Sequence, residues 1–136
     1  MILYLVVAAL ASAGVYAAST GAREVALLLL AASGLVHTLF NKPQALCGKA
    51  RRGGCEVVLA SPYARPFGIP LEKLGAAWFT GALPSYNLGF GQLWGLLALL
   101  AVAALVGIEV KLRGFCTYCT IAHVVGVAAA LLLLGL

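Results

Sequence analysis

Charge is scarce in this sequence. Of its 136 residues only 10% are charged, while 63% are hydrophobic, a balance that excludes an ordinary soluble domain and points to lipid as the solvent. The chain also has no internal repeat and no low-complexity tail, which excludes a repeat array. No Lys or Arg precedes the first apolar run, so that run reads as a membrane span, with a cleaved secretory signal as the alternative. No loop is large enough to hold a separate soluble domain, which confines any chemistry to the space between helices or to a single loop. No nucleic-acid partner is expected.

Apolar length, by contrast, is abundant. A spanning helix needs about 20 mostly apolar residues, and five runs approach that length: residues 2–19, 25–40, 69–83, 90–108 and 115–136. The third is the weakest, because it is short and carries Glu72 and Lys73 at its start, whose heads must reach an interface. The expected fold is therefore an all-α integral membrane protein, one transmembrane domain over residues 1–136. Gly and Ala recur in every run, as close helix packing in lipid requires; Gly91 and Gly95 form a GxxxG pair that reads as packing within the chain rather than as a dimer motif. Between the second and third runs lies NKPQALCGKARRGGCEVVLASPYARPFG, residues 41–68. Its glycines and prolines make it a capping loop rather than a helix.

Alternating the five spans puts loop 41–68 and the connection 109–115 on one side of the membrane, and with them all four cysteines: Cys47, Cys55, Cys116 and Cys119. Lys42, Lys49, Arg51, Arg52, Arg65, Lys73, Lys111 and Arg113 share that face, and Arg23 alone of the nine basic residues lies opposite. Short loops rich in Lys and Arg stay in the cytoplasm, so the charge bias predicts a cytoplasmic cysteine face. An extracytoplasmic face, its basic loop binding partners or lipid headgroups, is the alternative. Thiols in a mesophile's cytoplasm are kept reduced, whereas hyperthermophiles use intracellular disulfides.

The sulfurs carry the functional reading. In CTYC, Cys116 and Cys119 are three residues apart, on one helix face and close enough to cycle between dithiol and disulfide. A helix beginning near Phe115 would turn its free N–H groups and positive dipole end toward Cys116, favouring a thiolate there, with Lys111 and Arg113 adding to the effect. Cys119 is expected one turn deeper, facing the bundle interior, with His123 four residues further along the same stripe. Cys47 and Cys55, in a Gly-rich loop, can form a second disulfide. Two coupled dithiols suggest a relay by thiol–disulfide exchange, from a protein in water to a quinone in the bilayer. Structural zinc on four cysteines is one rival, although only CTYC has the usual ligand spacing. A small multi-span transporter with incidental cysteines is another; Glu72 and Glu109 sit near span ends, where the interface and nearby Lys73, Lys111 and Arg113 account for them. His37 receives no role.

The loop CGKARRGGC, the following EVVLASPYARPFGIPLEKLG, and CTYC at the start of the last run together resemble the vitamin K epoxide reductase family, with its quinone-linked disulfide-forming members, over residues 24–136. That resemblance implies a four-helix bundle around a quinone site, capped by the cysteine loop. The span at 2–19 is an additional amino-terminal helix, consistent with an inverted orientation. Carried over by position, Cys47 would take electrons from a redox partner, Cys55 would pass them to Cys116, and Cys119 would reduce the quinone. Ser61 matches the family's loop serine or threonine. His123 stands where relatives place a tyrosine that binds the quinone carbonyl. The type of quinone, menaquinone or ubiquinone, is left open. Relatives can carry a fused thioredoxin-like domain, for which this chain has no room, so the expected partner is a separate thioredoxin-like or disulfide-isomerase-like protein. The expected activity is a membrane thiol oxidoreductase that makes disulfides in that partner.

Overall fold

A computed structural model gives the fold and describes residues 2–40, 62, 66–114 and 116–135. The expectations for Cys47, Cys55 and Ser61 lie outside the described residues. Within them the secondary structure is helical: α1 (Ile2–Ser19), α2 (Arg23–Phe40), a 3-10 turn at Pro66–Gly68, α3 (Leu71–Leu88), α4 (Gly91–Leu112) and α5 (Thr117–Leu133). Of these, α1, α2 and α4 are long and apolar enough to cross a membrane, and α5 is a shorter apolar helix of 17 residues. The protein is a helical membrane protein.

Burial runs opposite to that of a soluble bundle. On α1 the buried residues are Val7, Gly14 and Ala17, while Ile2, Leu5, Val15 and Tyr16 point outward. On α4 the contacts inside are made by Gly91, Gly95 and Ala98, and Leu93, Leu97 and Leu100 are exposed. Large apolar side chains turned out and small ones turned in is the pattern expected where lipid is as apolar as leucine and close backbone approach supplies the helix association. The GxxxG glycines behave as expected. A Cβ at Gly95 would sit 2.8 Å from the Ala130 carbonyl oxygen and 3.1 Å from Leu133 Cβ, so α4 lies directly on α5 of the same chain.

The core is built by α2, α3 and α5 around Leu27, Leu30, Phe79, Val125 and Ala129. Gly34 admits the Phe79 ring, and any side chain there would occupy the ring's place. A reciprocal clasp joins α3 to α4: Trp78 Nε1–H donates to the Trp94 carbonyl at 3.1 Å and Trp94 Nε1–H returns the bond to the Trp78 carbonyl at 3.0 Å. Ser33 Oγ–H donates to the Val7 carbonyl at 2.8 Å and ties α1 to α2.

Two contacts set the direction of α2 against α5. Near one end Arg23 donates to the Gly135 carbonyl at 3.3 Å, and near the other His37 bonds Tyr118. The two helices are therefore antiparallel, and Phe40, where residues 41–68 depart, lies at the same end as Cys116. Element bounds depart from the apolar runs most at two places: α4 runs on from 108 to Leu112, and α3 runs past its proline. The third run stops before Pro84, yet α3 continues to Leu88. Proline is accommodated inside a membrane helix when neighbouring groups re-satisfy the freed backbone. Here the helix ends at Gly89, whose φ of 90° is the left-handed conformation that only glycine adopts without strain.

Candidate functional site

The site begins with the turn between α4 and α5. Arg113 closes α4 in the left-handed conformation, φ 54°, and the Gly114 N–H returns to the Glu109 carbonyl at 3.0 Å. This reversal brings Cys116 directly to the N-cap of α5. Its sulfur takes the place of the usual capping oxygen: Cys119 N–H donates to Cys116 Sγ at 3.2 Å, so an N-terminal helix donor is aimed at that sulfur. Such a donor favours negative charge on Sγ, which supplies a local cause for the reactivity expected of the first thiol.

Cys116 and Cys119 are joined in a disulfide, with Cα atoms 5.2 Å apart. Their burial differs from the expected order. Cys116 is completely buried and Cys119 only partly so, because the N-cap geometry folds the first sulfur back over the opening turn while the second stands on the helix surface.

The residue between the cysteines anchors the motif. His37 Nε2–H donates to the Tyr118 carbonyl at 2.8 Å, and Tyr118 Oη–H donates to the His37 carbonyl at 3.2 Å, with the two rings 4.3 Å apart. Because a carbonyl only accepts, the bond fixes the proton of His37 on Nε2. Tyr4 of α1 packs edge-on against the same imidazole at 5.8 Å. His37 is fully buried, and it ties the redox turn to α2 through a main-chain group that no side-chain substitution at position 118 removes. Sequence reasoning gave His37 no role. The available signal was an ionisable residue inside a span, which carries a functional implication by default.

Glu109 was also assigned differently. Rather than reaching an interface, its side chain turns inward: Oε2 accepts the Cys116 backbone N–H at 3.4 Å, and Oε1 lies 3.9 Å from His123 Nδ1. Oε1 is buried and makes no hydrogen bond among the described residues.

His123 and Thr120 form one wall of an open groove of about 670 Å³ between α4 and α5. Val102, Val106, Val124 and Val127 line its length; Glu109, Arg113, Thr120 and His123 gather toward its thiol end. An isoprenoid quinone combines a ring bearing two carbonyl acceptors with an apolar tail. The groove offers the matching pair of features, a few polar groups at one end of an apolar channel. These residues fit such a group.

A cysteine pair set at a helix N-terminus is suited to thiol–disulfide exchange. The model of the Vitamin K epoxide reductase family matches residues 25–134. The chain belongs to that family of membrane thiol oxidoreductases, which is quinone-linked in general and works with a redox partner. The match begins within α2, so α1 precedes it. No curated protein and no solved structure gives a match.

Proposed function

We propose that this protein oxidises a thioredoxin-like or disulfide-isomerase-like partner and delivers the two electrons to a membrane quinone. The observation that carries the reading is the Cys116–Cys119 disulfide with a helix N–H on its first sulfur, in a chain of this family. The partner's thiolate attacks the Cys47–Cys55 disulfide, Cys55 then attacks Cys116, and the released electrons gather on Cys119. Each exchange moves the disulfide one step toward the partner and passes two electrons the opposite way, toward the quinone in the bilayer.

When bound, the quinone supplies the two-electron acceptor. Arg113, Thr120 and His123 are the residues that would hold its polar head, with Val102, Val106, Val124 and Val127 along its tail. Ser61 is assigned to the same site through its place in the loop. His37 and Tyr118 keep the CTYC turn in position against α2 while the disulfide opens and closes. The cysteine face is assigned to the cytoplasm, on the charge asymmetry of eight of nine basic residues.

Stoichiometric titration of the purified protein tests the reading. Reduced partner is added anaerobically and modified cysteines are mapped by mass spectrometry. Partner oxidation should open the Cys47–Cys55 and Cys116–Cys119 disulfides, and added quinone should re-form both. Four cysteines that never exchange with partner would support the incidental-cysteine transporter instead, and one equivalent of tightly bound zinc would support the structural-metal rival.

A further inference from the structure

The Glu109 carboxylate is poorly used by the fold. More than nine-tenths buried in a membrane protein, it has one oxygen with no hydrogen bond and the other on a long bond to a backbone N–H. Burying a carboxylate so incompletely satisfied is costly and serves packing badly. Its unused oxygen faces His123 Nδ1.

The same carboxylate bonds Cys116 N and lies within 4 Å of His123 Nδ1, so the imidazole leans toward the N-terminal end of α5. That is the direction in which helical side chains already point. The turn beneath it carries Cys119, four residues back on the same face. By this helical spacing the thiol would stand beside the imidazole and the carboxylate behind it, the order in which a third group orients a base beside its nucleophile.

We propose that Cys119, His123 and Glu109 act as nucleophile, base and positioning carboxylate, with the Glu109 carboxylate, 3.9 Å from Nδ1, favouring the Nδ1–H tautomer through its charge so that His123 Nε2 collects the Cys119 proton and passes it into the groove. The inference rests on the quinone-reducing function proposed above and deepens it at the same site. The balance is closed: dithiol plus quinone gives disulfide plus quinol, with two S–H bonds broken, one S–S bond formed, and two electrons and two protons transferred. His123 Nε2 takes the Cys119 proton first. The Cys116 proton follows by the same route as the sulfur of Cys116 joins that of Cys119. Glu109 exchanges no proton and is not a catalytic residue; it acts through His123.

Other ionisable groups around these three are Lys111 and Arg113 on α4, Cys116 and Tyr118 on α5, His37 on α2, Glu72 on α3 and Tyr4 on α1. Arg113 shares the groove with His123. Among the described residues Glu109 is the acidic group within 4 Å of the His123 ring.

Two measurements test the proposal without quinone or partner, so their failure is separable from failure of the proposed function. In wild-type protein, ¹⁵N spectra of His123 should show the neutral ring protonated at Nδ1; protonation at Nε2 overturns the proposal. In reduced protein, the rate of Cys119 alkylation is followed against pH by peptide mapping. His123→Gln should slow it roughly tenfold at neutral pH and move the profile upward. Glu109→Gln should move it the same way by a smaller factor, and the double variant should match His123→Gln alone. An unchanged profile in Glu109→Gln, or effects that multiply in the double variant, would show that Glu109 does not act through the imidazole.

Discussion

The bundle is tied together by two reciprocal hydrogen-bonded clasps, and their surroundings differ. In the Trp78–Trp94 clasp each indole N–H meets the other residue's carbonyl, and neither chain position adjoins a reactive group. The His37–Tyr118 clasp has the same two-bond form, but one partner sits between the two cysteines and the other is an ionisable ring buried in a span. Around the first, small residues and apolar packing dominate, as with Gly91 and Gly95 against α5. Around the second lie a disulfide, a buried carboxylate with an unbonded oxygen, and a second histidine at a groove. A membrane bundle gains stability from close packing and spends polar groups sparingly. Where they collect, as at the start of α5, function is the reason for their retention.

That contrast is broken or sharpened by substitution. The largest effect belongs to Cys119→Ser, which should lower quinone reduction at least about a thousandfold in a stopped-flow assay and leave helicity by circular dichroism intact. Next, His37→Leu removes the side chain that anchors the CTYC turn; partner-to-quinone turnover should fall by roughly tenfold, with a stability loss of about 1–2 kcal/mol in detergent unfolding. Gly95→Leu should invert this pattern. It forces α4 off α5 and costs roughly 1–3 kcal/mol, while Cys119 alkylation per folded molecule stays at the wild-type rate. Trp78→Phe should be smallest, about 0.5–1.5 kcal/mol for the lost indole bond, with no change in thiol exchange. Equal effects of His37→Leu and Trp78→Phe on turnover would remove the distinction between the two clasps.

Much of the architecture was legible because lipid-facing helices announce themselves as apolar runs, and the small residues within α1 and α4 mark the faces that pack. The place of Cys116 and Cys119 at a helix start was legible for a similarly local reason, since a C-x-x-C pair and a preceding Gly114 both belong to the turn. What escaped was long-range. His37 finds its partner 81 residues away, and nothing in the residues around it specifies Tyr118. Glu109 lies two and four residues from Lys111 and Arg113, so local sequence offers it an interfacial role. The tight reversal at Arg113 and Gly114 decides otherwise by carrying α5 back across it, which turns the carboxylate toward Cys116 and His123. The order of burial of the two sulfurs escaped as well, because it follows from Cys116 being the N-cap rather than a helix residue.

The central claim is that the cysteine pair at the start of α5 hands its electrons to a quinone in the bilayer. A single-turnover experiment tests it most directly: fully reduced protein in nanodiscs is mixed anaerobically with a quinone, and quinol and free thiols are quantified together by quench and peptide mapping. In the first turnover one quinol should appear for each Cys116–Cys119 disulfide formed. Quinol produced while Cys116 and Cys119 both remain reduced would contradict the account.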